Sequence, residues 1–141
     1  GLAERQMEGI LINPINKGES FEQFLLSLHV PVVCIGNQVS GKITTVQVNE
    51  MVATMDAVKH IVSKDYEKIV FVCPPLEMKE THNTYTHEQR ALGFRAAMGM
   101  YPDVEMNVIG RGNFLQAVQS VCKDGLNKKT AFLCSGSCPD R

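Results

Sequence analysis

Short apolar runs alternate with amphipathic stretches along the whole chain. GILIN (9–13) reads as a buried strand, and ESFEQFLLSL (19–28) puts apolar residues at 21, 24, 25 and 28, the spacing of one helical face. PVVCIGN (31–37) is a second strand, entered by a proline that cannot donate to a ladder and so suits a strand start. TTVQV (44–48) alternates weakly and predicts a short third strand. VATMDAVKHIVSK (52–64) predicts a helix with Val52, Met55, Val58, Ile61 and Val62 on one side. KIVFVC (68–73), rich in β-branched residues, predicts a strand stopped by Pro74-Pro75, and the polar stretch 75–85 predicts a loop. A helix over 87–100, a strand over 104–110, a helix over 114–123 and a strand over 130–134 complete the series. In the last of these helices Phe114, Val118, Val121 and Cys122 share a face.

Strands with continuous apolar runs, separated by helices, imply an α/β fold of parallel sheets with helices on both faces. Ligands in such folds bind beyond the carboxyl ends of the strands. Here those positions are Asn13, Gly36-Asn37, Asn49, residues 73–86, 110–114 and 135–137. Thr86-x-x-Gln89 has the form of a capping box, which sets Arg90 close to a helix N-terminus. The helix dipole disfavours a cation there by roughly 0.3–1 kcal/mol. Either Arg90 is solvated, or it points at an acceptor in a cleft.

Composition narrows the classes. With 44% hydrophobic and 21% charged residues, the chain is that of an ordinary globular domain. A net charge of −1 gives no bulk attraction to nucleic acid or to an anionic membrane. No apolar run approaches the roughly 18 residues that span a bilayer. The opening GLAERQMEG lacks the layout of a signal peptide. The cysteines, at 34, 73, 122, 134 and 138, are odd in number, and three of them lie in or at the ends of strand-like runs, which favours a reduced, cytoplasmic setting.

Catalytic patterns are missing. No G-x-G-x-x-G follows a strand, and there is neither a phosphate loop nor a nucleophile elbow. Ser135-Gly136-Ser137 follows a strand, but no histidine and acid are placed by the sequence to activate either serine. Cys134-x-x-x-Cys138 with His82 and His87 matches no common zinc spacing. Glu88 and Glu105 read as isolated carboxylates. The expectation is a protein that is not an enzyme and needs no cofactor and no metal.

Taken in order, GILI, VPVVCIGN, TVQVNEMVATMDAVKHIVSKDYEKIVFVCPPLE, THEQRALGFRAAM, VIGRGNF and TAFLCSGS resemble the effector-binding core of LacI/GalR-type bacterial transcription regulators. The resemblance runs through nearly all of the chain. It implies a periplasmic-binding-protein type I-like fold, in which two α/β lobes hinge around a small ligand such as a sugar or a nucleobase. Residues 1–48 would then be the end of the first lobe and 49–141 most of the second. Arg90 stands at the family's cleft arginine, and Phe114 matches an aromatic that can stack on the ligand. Asn49 takes the position of an acid near the lobe crossover, Asn37 lies in a cleft-facing loop, and Thr86 offers a hydroxyl besides capping its helix.

The resemblance also carries departures. Asn49-Glu50 stands where the family has Asp-Asn, the loop before Arg90 is enlarged, and Ser137-Cys138 replaces an acid after the last strand. The family's DNA-binding helix-turn-helix has no counterpart here, so contact with operator DNA would need that further domain. An incomplete first lobe would leave apolar strand edges and helix faces uncovered, so a homo-oligomer, such as a dimer, or a complementary fragment is expected. A periplasmic-type solute-binding protein and a fragment of a Rossmann-like or flavodoxin-like enzyme are the alternative readings. The expected partner is a small-molecule effector, sugar- or purine-like, and no membrane.

Overall fold

A computed structural model describes residues 8–76, 82–123 and 127–136. Their order is β1 (Ile10–Ile12), α1 (Glu19–Leu26), β2 (Val32–Ile35), β3 (Thr44–Val46), α2 (Glu50–Ser63), β4 (Lys68–Val72), α3 (Tyr85–Met100), β5 (Glu105–Ile109), α4 (Phe114–Lys123) and β6 (Thr130–Cys134). Each element falls within, or within two residues of, the stretch that its periodicity predicts. The strands form two parallel three-stranded sheets, ordered β1-β2-β3 and β5-β4-β6.

The chain divides into two compact units. The first holds the described residues up to Val48 together with 82–86, and the second holds Asn49–Leu76 and the described residues from His87 onward. The stretch before α3 therefore belongs with the first unit, which a single division at residue 48 does not capture.

In the first unit α1 covers one face of its sheet. Leu25, Cys34 and Ile43 are buried there, with Ile12, Phe21, Leu28, Val32 and Val39 packed around them. The register sets Leu11 beside Val33 and Ile35 beside Val46, so these side chains share the opposite face. That face is open: Leu11 is 72% exposed and Val46 59%.

In the second unit β4 is the central strand. Its Ile69, Val70, Phe71 and Val72 point alternately to the two sides and are all buried, the condition for a strand enclosed on both faces. On one side Ile69, Phe71 and Cys73 pack with Val58 of α2 and with Ala91, Phe94 and Ala97 of α3. Phe71 and Phe94 stack with ring centroids 4.7 Å apart. The buried stripe of α2 runs through Thr54 and Val58, while Val52 lies exposed. α4 has no buried residue. Its inner stripe is Phe114, Ala117, Val118 and Val121, all half-buried, and Cys122 lies outside it.

Two start signals differ from the sequence reading. α2 begins at Glu50 rather than Val52, because the Asn49 side chain accepts the Val52 amide as N-cap at 3.1 Å. α3 begins at Tyr85, so Thr86 is inside the helix and does not cap it. The Asn83 side chain accepts the Tyr85 amide instead, at 3.1 Å. Glu105 is not isolated either. It lies beside Lys68 in the ladder and pairs with Lys68 at 3.4 Å and Lys128 at 3.1 Å.

Candidate functional site

The first unit ties the loop ends of its sheet together. Gly36 ends β2 with φ +85°, a left-handed conformation that glycine adopts without strain. The next residue, Asn37, donates through Nδ2 to the Pro14 carbonyl at 3.1 Å. Its Oδ1 accepts from the Thr86 hydroxyl at 2.7 Å and from the Thr86 amide at 3.3 Å. Asn83 donates to the Gln38 carbonyl at 2.8 Å, and its amide donates to the Ile15 carbonyl at 3.0 Å. Asn16 and His82 form an isolated antiparallel bridge. Two of the expected ligand contacts, Asn37 and Thr86, thus meet each other, and the Asn37 side chain makes three bonds, two of them to backbone.

In the second unit the carboxyl end of β6 and the N-terminal turns of α2 and α3 converge. Arg90 lies in the second turn of α3 and reaches the first turn of α2. Its Nε donates to Glu50 Oε2 at 2.9 Å and its Nη2 to Glu50 Oε1 at 3.3 Å, a two-pronged pair. Its Nη1 donates to the Ser135 carbonyl. The Arg90 side chain is 30% exposed and Glu50 16%, so the pair is partly desolvated but open on one side. A cavity of about 200 Å³ adjoins it, lined by Glu50, Thr54, Phe71, Arg90 and Ser135 with small apolar neighbours. Arg90 therefore tolerates its position near a helix start because a first-turn acid of the neighbouring helix and a strand-end carbonyl accept from it. Glu88 takes no part in this pair.

Gly93 makes this approach possible. A Cβ at that position would overlap the Met51 carbonyl oxygen and come within 3.0 Å of the Met51 Cα. The backbones of α3 and α2 meet there, one residue past Glu50 and one turn past Arg90. Phe94 follows and anchors α3 on the sheet through Phe71. The Arg90-x-x-Gly93-Phe94 motif thus supplies an ion-pair partner for Glu50, a backbone contact and a core anchor in sequence.

Ser135 is only 2% exposed, and its hydroxyl meets His87 Nδ1 at 3.0 Å and hydrogen-bonds the Cys73 side chain. The sequence places no histidine near this serine; the fold does. Burial lowers the His87 pKa, the Arg90 charge lowers it further and Glu50 opposes the shift, so the ring is neutral near pH 7. Burial pushes the Cys73 thiol up, which keeps it protonated. A buried hydroxyl engaged on both sides positions the strand end and the ring rather than presenting a nucleophile. Ser137 and Cys138 lie outside the described residues. Among the described residues no group of three or more histidine, cysteine or acidic side chains could hold a metal ion.

The other expected site residues stand apart from this cluster. Asn49 is occupied as the α2 N-cap, next to Glu50 but not lining the cavity. Phe114 opens α4, half-buried, and does not line it either. Glu50, His87 and Ser135 are the members that sequence reasoning missed. Glu50 had a signal, an acid in the first turn after an asparagine cap, but nothing in the sequence pairs it with a residue forty positions on.

No family model matches the chain, and no curated protein does. Solved structures do. The chain is similar to the probable maltose operon transcriptional repressor malR of Staphylococcus aureus, at TM-score 0.72 and 15% identity, over 93% of this chain and 47% of that one. It is similar to the Cra transcriptional dual regulator of Pseudomonas putida, solved with fructose 1-phosphate, at TM-score 0.66 and 16% identity, over 94% and 49%. It is also similar to a regulatory protein of the LacI family from Chloroflexus aggregans, at TM-score 0.67 and 19% identity, over 94% and 48%. The chain spans about half the length of these proteins. Its fold is the periplasmic-binding-protein-like α/β fold of LacI-type regulators over that span. No helix among the described residues is long and apolar enough to cross a membrane.

Proposed function

We propose that the chain is the effector-sensing part of a LacI-type transcriptional regulator, binding a small molecule of the sugar or nucleobase class beside Arg90. The observation that carries this reading is the Arg90–Glu50 pair opening on a cavity at the strand-end edge of the second parallel sheet. That edge is where folds of this kind hold ligands. The guanidinium offers fixed donors and the carboxylate offers acceptors, together a match for hydroxyls and ring carbonyls. The fold similarity to regulators supports sensing over catalysis, and no organised nucleophile competes with it among the described residues. Ligand binding would bias two arrangements of the protein, and a DNA-binding domain would report the difference. Operator contact and dimerisation belong to this proposal as properties of the regulator. Asn37, Asn49, Thr86 and Phe114 belong to the proposal as further effector contacts of the regulator.

A thermal-shift screen of the chain against common sugars, sugar phosphates and purines tests the reading. A ligand specific to the folded state adds about 2.7 kcal/mol of stability at a hundredfold excess over Kd. At least one compound is expected to raise Tm in a concentration-dependent way. A flat response across the whole panel would count against effector sensing by this chain.

A further inference from the structure

We propose that the cavity beside Arg90 selects an uncharged ligand over its phosphorylated counterpart, because Glu50 already neutralises the arginine. The inference rests on the effector-sensing reading and narrows its ligand class.

Arg90 has five N–H donors. Nε and one N–H of Nη2 are held by Glu50, and one N–H of Nη1 by the Ser135 carbonyl. Two N–H groups remain, one on each terminal nitrogen. The Glu50 carboxylate, with about four acceptor sites, receives two bonds from Arg90 and keeps capacity for an incoming O–H or N–H. A neutral hydroxyl or lactam group satisfies both sides at once, accepting from Arg90 while donating to Glu50. The ion pair can stay intact as it binds.

A phosphate cannot do this. It brings negative charge and acceptors only, next to a carboxylate. It must either bear that repulsion or take Arg90 from Glu50, which would leave a mostly buried carboxylate unpaired. Among the described residues no second cation lines the cavity to compensate, since its other walls are Ala53, Thr54, Ala57, Phe71, Leu133, Cys134 and Ser135. The Thr54 hydroxyl is already donated to the Glu50 carbonyl at 2.9 Å. The adjacent His87 ring, neutral near pH 7, adds no positive charge.

Calorimetric titration of the 141-residue chain with matched pairs tests the selectivity: D-fructose and fructose 1-phosphate, D-ribose and ribose 5-phosphate, inosine and inosine 5′-monophosphate. In any pair that binds, the uncharged member is expected to bind at least tenfold tighter. Glu50→Gln, checked for an unchanged circular dichroism spectrum, is expected to narrow or reverse that ratio by at least tenfold. Tighter binding of the phosphorylated member by the wild-type chain would overturn the selectivity while leaving the effector reading intact. An unchanged ratio in a folded Glu50→Gln variant would overturn the role of Glu50. Absence of binding by either member of every pair would overturn both readings. The wild-type comparison stands without the variant, so a Glu50→Gln chain that misfolds does not rescue the proposal.

Discussion

The two sheets start from similar apolar runs and end differently. In the second unit β4 has Ile69, Val70, Phe71 and Val72 all buried. In the first unit β2 is central too, yet only Cys34 is buried, and Ile35 is 45% exposed. The difference lies in the covering layers rather than in the strand sequences. α2 and α3 pack one side of β4, whereas α1 alone packs one side of β2 and the face of Leu11, Ile35 and Val46 is left open. A parallel strand reads as apolar because both of its faces are meant to be covered, so an uncovered face marks an unfilled place for another layer. The arginine cluster sits in the unit whose central strand is buried on both faces, where neighbouring helices can hold a charged pair to a fixed geometry.

This contrast can be broken most directly at the core. Phe94→Ala should cost about 3–5 kcal/mol in urea unfolding, the usual range for emptying a buried aromatic. Gly93→Ala should cost about 1–3 kcal/mol, because the α2 and α3 backbones must part to admit a methyl group. It should also weaken ligand binding, since the same shift carries Glu50 away from Arg90. Asn49→Ala should cost about 1 kcal/mol as a lost N-cap. Leu11→Thr, on the open face of the first sheet, should stay within about 0.5 kcal/mol of wild type. A loss there as large as that of Phe94→Ala would mean that the face is covered in solution.

Acid should act on the second unit through His87. Its folded-state pKa lies below the ordinary value near 6.5, so the unfolded chain takes up this proton more readily. Stability is then unaffected by this group above pH 6.5. It declines as pH falls below that value and levels off once the folded-state pKa has been passed. His87→Gln should flatten this segment of a urea midpoint profile taken between pH 8 and pH 5. Glu22 and Glu105, both held below the usual carboxylate range by hydrogen bonds to neighbouring side chains, contribute stability that is lost only under more acidic conditions.

Much of the fold was legible in the sequence, because its signals are local. Alternation between apolar runs and helical spacing located the ten elements of the described residues, and Pro31 and Pro74-Pro75 marked strand limits. Helix starts were less legible. At α2 the cap sits two residues before the first apolar position, and at α3 the hydroxyl of Thr86 is drawn away by Asn37, a partner distant in sequence. Arg90 stood out because a cation near a helix start calls for an acceptor. Its partners could not be read, because Glu50 and Ser135 approach it only once α2, α3 and β6 are packed on one sheet. The same holds for His87 beside Ser135, and for the lysines that flank Glu105, which parallel strand register brings together.

The central claim is that a small effector is held by Arg90 in the second unit. The most direct measurement is a calorimetric titration of the best ligand from the thermal-shift screen into the wild-type chain and into Arg90→Ala, with folding of both checked by circular dichroism. Hydrogen bonds to a charged group contribute about 1.5–3 kcal/mol each, so the variant should bind at least about tenfold more weakly. Equal Kd values for the two chains would contradict the account and move the site away from Arg90.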